Sequence, residues 1–183
     1  MHQKVSIVNQ QTCVEIVQCN LQHSQQATAI LSRTVGKLGS FVSLIQEPYL
    51  YGKRVRGLSS RLGTLVGGSH PLGSRAAMLV SKNLQTIPLP QFCTRDLAAA
   101  KVEYCRGGKR RMVVLASAYM PFDSPSMPPP QEVELLVEFC KTRRWPIILG
   151  CDAKRAAPRG AALTATNGDT PCWSTWLART SKY

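Results

Sequence analysis

Four polar residues could do chemistry together because each directly follows an apolar run that is typical of a β-strand. They are Asn20, Glu47, Tyr119 and Asp152. An amide, a phenol and two carboxylates suit a hard divalent cation and a phosphate. Glu47 could bind Mg²⁺, Asn20 could orient water or ligand, and Asp152 could accept a proton from an attacking water. If the ends of these strands converge, the residues form one site that cleaves phosphodiesters.

Each of these residues also has a purely structural interpretation. Asparagine and aspartate often cap helices or turns, and a single acidic residue after a strand is commonly just solvated. Taken one at a time, the four residues leave both interpretations open. Only their convergence in space would favour a shared site.

The apolar pattern predicts the elements that must position these residues. Helical spacing predicts helices over Gln25–Leu38, between Ser24 as N-cap and Gly39 as stop, and over Gln131–Lys141. Pro48 biases the preceding glutamate away from the right-handed helical region. Helices separated by blocks of strands predict an α+β sandwich in which helices cover stacked sheets. Apolar runs predict strands at Val14–Cys19, Phe41–Ile45, Ala76–Val80, Leu84–Leu89, Leu97–Tyr104, Arg111–Tyr119 and Pro146–Leu149.

The charge of the chain favours a polyanionic partner. Its 183 residues include 23 Lys+Arg against 10 Asp+Glu, which gives a net charge of +13 and a pI of about 9.8. Such an excess attracts nucleic acid, although a merely soluble basic protein is the alternative. The stretch Tyr51–Gly73 is predicted to be mainly a basic loop. Its cations are the candidate DNA-binding residues Lys53, Arg54, Arg56 and Arg61.

Several classes of protein are not expected from this composition. No window approaches eighteen consecutive apolar residues, and the first twenty residues are too polar for a signal peptide. The seven cysteines include no C-x-x-C pair, so neither a disulfide framework nor a zinc site is indicated. We expect a nuclear or cytoplasmic protein that is not secreted, with no membrane partner and no small-molecule cofactor.

Five linked motifs resemble one protein family. They are QCNLQHS at 18–24, LIQEPY at 44–49, TRDLAAAKV at 94–102, LASAYMPFD at 115–123 and PIILGCDA at 146–153. Together they resemble the endonuclease domain of non-LTR retrotransposons, which is similar to apurinic endonucleases and belongs to the endonuclease/exonuclease/phosphatase superfamily. The resemblance covers about residues 13–153.

The resemblance implies two face-packed β-sheets flanked by helices, with the active site at one edge. In such a domain Asn20 and Glu47 organise Mg²⁺ or Mn²⁺, and Tyr119 hydrogen-bonds the phosphate. Asp152 aligns the nucleophilic water. The substrate is DNA, nicked to leave a 3′-hydroxyl for target-primed reverse transcription, and the intact element carries a reverse transcriptase domain in the same polypeptide.

The resemblance assigns only a supporting role to Arg95 and Asp96. These two residues lie in the TRDLAAAKV motif, outside the set that contacts metal and phosphate. A salt bridge at the start of a strand is the alternative interpretation of this pair.

The sequence departs from the family after Asp152. The family continues Asp-Ala-Asn-Ala-His-His, whereas this chain reads Asp152-Ala153-Lys154-Arg155, and the later Ser-Asp-His motif has no match. Loss of the last base of an AAC codon before a GCN alanine codon turns AAC into the lysine codon AAG, and the next codon then begins CG, which is arginine, where N is G. We therefore expect an N-terminal extension at 1–12, an incomplete domain at 13–153 that lacks its last strands, and a poorly ordered, out-of-frame tail at 154–183. A divergent native C-terminus remains the alternative for the tail.

The functional expectation is a retrotransposon-derived Mg²⁺-dependent DNA endonuclease domain that is inactive as this truncated chain. The three histidines, His2, His23 and His70, lie in no matching motif, so acid–base catalysis of the family type is not expected. The alternatives are a non-catalytic, basic DNA-binding remnant and a binding module recruited by the host.

Overall fold

The computed structural model describes residues 14–58, 60–106, 108–121 and 129–153. Two four-stranded sheets, one two-stranded ribbon and two α-helices make up this part of the chain. A short 3-10 helix, Pro90–Phe92, also precedes β8. In chain order the elements are β1 (Val14–Asn20), α1 (Gln25–Val35), β2 (Ser40–Gln46), β3 (Leu50–Tyr51), β4 (Arg54–Val55), β5 (Gly63–Gly67), β6 (Ala76–Ser81), β7 (Gln85–Pro88), β8 (Leu97–Arg106), β9 (Lys109–Met120), α2 (Gln131–Thr142) and β10 (Ile147–Ala153).

The first sheet has the strand order β1-β2-β6-β5. Strands β1 and β2 are parallel, with Asn20 opposite Gln46. Strand β6 runs antiparallel to β2, with Ala76 opposite Gln46. The ends of β1 and β2 and the start of β6 therefore lie at the same edge of the sheet.

The second sheet has the strand order β10-β9-β8-β7 and repeats this arrangement. Strands β9 and β10 are parallel, with Tyr119 opposite Asp152. Strand β8 is antiparallel to β9, with Leu97 opposite Ala118. The ends of β9 and β10 and the start of β8 therefore also share one edge.

The two sheets pack face to face, and each helix covers an outer face. In the first sheet Ile45 and Leu79 pack against Leu31 and Val35 of α1. In the second sheet the apolar side chains pack against Val133, Leu136 and Cys140 of α2. Because both faces of each sheet are buried, the central strands are almost continuously apolar. The structure confirms the predicted α+β sandwich, and its inner core consists of Val42, Leu44, Val66, Met78, Val80, Ala98, Ala100, Val102, Val113 and Leu115.

Most element boundaries differ from the prediction by a few residues, and three differences affect the elements around the four polar residues and the basic stretch. Helix α1 ends at Val35 because Gly36 caps it, so Leu38 lies in the turn that follows rather than in the helix. The predicted basic loop contains β5 and the ribbon of β3 and β4. Strands β9 and β10 end later than predicted, at Met120 and Ala153, because their parallel pairing continues to these residues, and Asp152 therefore lies within β10.

The expected extension at 1–12, the absent last strands and the out-of-frame tail at 154–183 all fall outside the described residues. Among the residues that the structure does describe, no helix is both long and apolar enough to span a membrane.

Candidate active site

The four polar residues singled out from the sequence meet at one edge of the sandwich. Asn20 donates a hydrogen bond from Nδ2 to Oδ2 of Asp152 at 2.5 Å. The Tyr119 hydroxyl is hydrogen-bonded to the carboxylate of Glu47, and the charge of Asp152 also acts on it. Because Asn20 and Glu47 come from the first sheet and the other two from the second, these contacts join the sheets.

The side chain of Asn20 is oriented by the loop that follows β1. Its Oδ1 accepts the main-chain N–H of Gln22 at 2.8 Å, which turns Nδ2 toward the aspartate. Gln22 and His23 have positive φ angles of 49° and 55° and form a tight turn. Ser24 then caps α1 by accepting the N–H of Ala27. Loop and cap together fix the amide at the end of β1.

The main chain of Glu47 adopts a conformation that is uncommon outside glycine. Its φ is +47°, in the left-handed region, which costs roughly 1–2 kcal/mol for an L-residue. Its N–H donates to the carbonyl of Arg75 at 2.8 Å, and its own carbonyl accepts the N–H of His23 at 2.8 Å. Since both main-chain groups are bonded and Pro48 disfavours the right-handed helical region, the strained conformation is held in place.

Buried polar contacts tie the two sheets together beneath the site. Gln46 donates from Nε2 to Oγ of Ser117 at 2.9 Å and to the carbonyl of Gly150 at 3.3 Å. Nearer the surface, the exposed side chain of Gln18 donates from Nε2 to the carbonyl of Cys151 at 2.7 Å. The bonds of Gln46 are shielded from water and therefore costly to break, so they hold β9 and β10 in place against the first sheet.

The environment of Tyr119 keeps its hydroxyl protonated. Burial raises the pKa of the phenol, and so do the hydrogen bond to Glu47 and the negative charges of Glu47 and Asp152. The guanidinium of Arg75 opposes this by lowering the pKa. Because the net shift is upward, Tyr119 is a hydrogen-bond donor at neutral pH.

Arg75 is a member of the cluster that the sequence reasoning missed. Its Nε and Nη2 each donate to one carboxylate oxygen of Asp96 at 2.5 Å, and its Cζ lies 4.8 Å from the ring centre of Tyr119. Asp96 thus forms its ion pair with Arg75, and not with Arg95 as the alternative of a salt bridge at the start of the strand would require. Arg95 contributes instead through its carbonyl, which accepts the N–H of Arg75 at 2.6 Å. The supporting role of Arg95 and Asp96 stays a prediction.

The cations of the predicted basic segment are divided between two places. Lys53, Arg54 and Arg56 are exposed on the ribbon that begins just after Pro48, and we call these three the basic hairpin. Arg61 lies two residues before Gly63, which pairs with Ser81 at the end of β6. Arg61 is therefore near the end of the first sheet that is opposite Glu47. Five residues of strand at about 3.4 Å each separate the two ends of the sheet, so Arg61 does not lie on the basic hairpin. A DNA-binding role for the four cations stays a prediction.

The donor set at this edge fits a hard divalent cation. Glu47 and Asp152 supply carboxylates and Asn20 an amide oxygen, whereas no thiol or imidazole is among the contacts that define the cluster. Mg²⁺ is typically held by one or two carboxylates and keeps several waters. Within the described part of the chain, no group of three or more histidine, cysteine, aspartate or glutamate side chains is placed to enclose a metal ion. Glu47, with Asn20 beside it, is the position that could hold one.

The described histidines contact main chain rather than the cluster of carboxylates. Nδ1 of His23 lies 3.0 Å from the carbonyl of Pro48, and Nδ1 of His70 accepts the N–H of Leu72 at 3.2 Å. His2 lies outside the described residues. Neither described ring is thus assigned to proton transfer at this edge.

The structure aligns with the solved endonuclease domain of TRAS1, a telomere-specific non-LTR retrotransposon, with a TM-score of 0.54 and 23% sequence identity. The chain has the fold of that domain. The alignment covers 78% of this chain, which spans 59% of the length of the endonuclease domain. No protein-family model matches the sequence, and no curated protein matches it either.

Proposed function

We propose that this protein is a Mg²⁺-dependent DNA endonuclease domain of the non-LTR retrotransposon type, with Mn²⁺ as a substitute metal. The observation that carries the proposal is the contact of Asn20, Glu47, Tyr119 and Asp152 at one edge of two packed sheets. A clustered pair of carboxylates beside an amide and a protonated phenol suits hydrolysis of a phosphodiester. In an intact element, a reverse transcriptase domain in the same polypeptide would extend the nicked strand.

Each residue has a defined task in this proposal. Glu47 and Asn20 would hold the metal, which when bound would neutralise charge on the scissile phosphate. Tyr119 would donate its hydroxyl hydrogen bond to a phosphate oxygen, because its raised pKa keeps the proton in place. Asp152 would orient the attacking water and accept its proton, while the amide of Asn20 holds the carboxylate in position.

We further propose that the 183-residue chain is inactive, or turns over far more slowly than a complete domain. A positioned acid or base typically contributes about 10²–10⁴-fold to the rate, and both described histidine rings are bonded to main-chain groups instead of to the carboxylates. The basic hairpin, exposed beside the edge that carries Glu47, would still contact the phosphate backbone of duplex DNA.

Nicking of supercoiled plasmid tests the proposal. Slow, Mg²⁺-dependent conversion to the open circle is expected, abolished by EDTA and by Glu47→Gln or Asp152→Asn. Glu15→Gln is the matched control, because it removes one negative charge from an exposed position on β1. Extension of the nick by a DNA polymerase would identify the 3′-hydroxyl.

The second candidate function is DNA binding without cleavage, as a remnant or as a module recruited by the host. The net charge of +13 together with the placement of the histidines favours it. In that case the chain binds duplex DNA with the same affinity in wild type and Glu47→Gln, and no divalent metal produces a nick at any enzyme concentration.

A further inference from the structure

Arg75 reaches from the first sheet to the second at the candidate active site. It precedes β6 of the first sheet, and its guanidinium binds both carboxylate oxygens of Asp96, the residue before β8 of the second. The same guanidinium lies against the ring of Tyr119, 4.8 Å from its centre.

The main chains of this ion pair also contact the strands that carry the site. The carbonyl of Arg75 accepts the N–H of Glu47, and the carbonyl of Asp96 accepts the N–H of Tyr119, both at 2.8 Å. These main-chain bonds do not depend on the side chain at residue 75. Substituting that side chain therefore separates the effect of the guanidinium from the effect of the backbone.

The guanidinium of Arg75 restrains rotation of the Tyr119 ring, which the hydrogen bond of the Tyr119 hydroxyl does not prevent. The phenolic oxygen lies on the axis about which the ring rotates, so its bond to Glu47 does not fix the ring plane. A cation held against the ring face does restrain that plane. The two-point fork to Asp96 fixes the guanidinium itself, and a lysine ammonium cannot reproduce it. The side chains of Arg75 and Asp96 are largely shielded from water, with 25% and 19% of their surface exposed.

We propose that Arg75, clamped by Asp96, is a positioning residue that fixes the ring of Tyr119 and fastens the two sheets together at the active-site edge. The effect of Arg75 on catalysis rests on the proposed endonuclease function, in which the Tyr119 hydroxyl binds the phosphate. Arg75 acts there through Tyr119.

Nuclear magnetic resonance of the full chain with ¹³C-labelled tyrosine tests this without metal or DNA. The ring signals of Tyr119, assigned with Tyr119→Phe, are expected to shift and broaden in both Arg75→Met and Arg75→Lys. Lys141→Met is the matched control, since Lys141 forms an exposed ion pair with Glu138 on α2 at 3.7 Å. If Arg75→Met does not fold, the Tyr119 ring signals of Arg75→Lys test the proposal. Unchanged Tyr119 signals in a folded Arg75 variant overturn the proposal.

Nicking kinetics distinguish this inference from the proposed function. Misplacement of Tyr119 in Arg75→Lys should lower kcat by about ten- to a hundred-fold while KM changes much less. An unchanged kcat in a nicking enzyme refutes the catalytic consequence. If the Tyr119 signals respond as expected but no metal supports nicking by wild type, the endonuclease proposal fails and the positioning role stands.

Discussion

Gly150→Ala should destabilise the protein because β10 approaches β2 too closely to accept a methyl group. An added Cβ would lie 2.7 Å from Cδ1 of Leu44 and 3.1 Å from Oε1 of Gln18. Carbon atoms in contact are normally about 3.5–4.0 Å apart, so the overlap is about 1 Å. Leu44 is 1% exposed and cannot swing into solvent. Overpacking of this kind costs about 1–3 kcal/mol.

Thermal unfolding measures this cost against a matched substitution. At about 2–4 °C per kcal/mol for a chain of this size, Tm should fall by roughly 2–12 °C. Gly39→Ala is the control, because an added Cβ there meets nothing within 4 Å and both variants restrict the unfolded chain similarly. In a Leu44→Ala background the cost of Gly150→Ala should drop by about 1 kcal/mol or more. Equal Tm values for Gly150→Ala and Gly39→Ala would refute the close approach of the two sheets.

Three other predictions concern DNA affinity, thiol reactivity and the reading frame. Alanine at all three positions of the basic hairpin should make the slope of log affinity against log salt shallower by up to about 2.7, at about 0.9 per phosphate. Arg61→Ala, at the far end of the sheet, should leave the slope unchanged. Equal slopes for the triple variant and Arg61→Ala would contradict the placement of the DNA contact on the basic hairpin. Burial raises the pKa of the Cys140 thiol to about 11, so about one molecule in a thousand carries the thiolate at pH 8. Peptide mapping after iodoacetamide should therefore find exposed Cys105 modified before Cys140. Restoring one nucleotide at codon 154 should increase Mg²⁺-dependent nicking by about 10²–10⁴-fold, and robust nicking by the 183-residue chain itself would contradict the frameshift.

The sequence was sufficient to predict seven of the ten described strands and the four polar residues near their ends, because apolar runs are specified locally, but not β3, β4 and β5. It was not sufficient to predict Arg75, which precedes an apolar run instead of following one. In an antiparallel strand the start lies beside the end of its neighbour, so Ala76 faces Gln46 across the sheet. Finding Arg75 requires knowing that β6 pairs antiparallel with β2, which no local pattern specifies.

The position of Arg61 also could not be predicted from the sequence, because neighbours along the chain need not be neighbours in the fold. Only five positions separate it from Arg56, yet the chain between them leaves the basic hairpin and reaches the far end of the first sheet. All four cations precede β5, which begins at Gly63. Composition therefore predicts a basic segment but not the path that the chain takes within it.

The hydrogen bonds at the active-site edge join parts of the chain that are synthesised far apart in time. Asn20 and Asp152 are 132 positions apart, and Gln18 and Cys151 are 133 apart. Contacts at such separation form late, because the loop they close must be ordered first. A nascent chain that has not yet released β10 from the ribosome would expose Glu47 and the basic hairpin without Asp152. In the endonuclease proposed above, such a chain could bind nucleic acid but not cut it, so the pairing of the first and last described strands would make cleavage depend on β10 having left the ribosome.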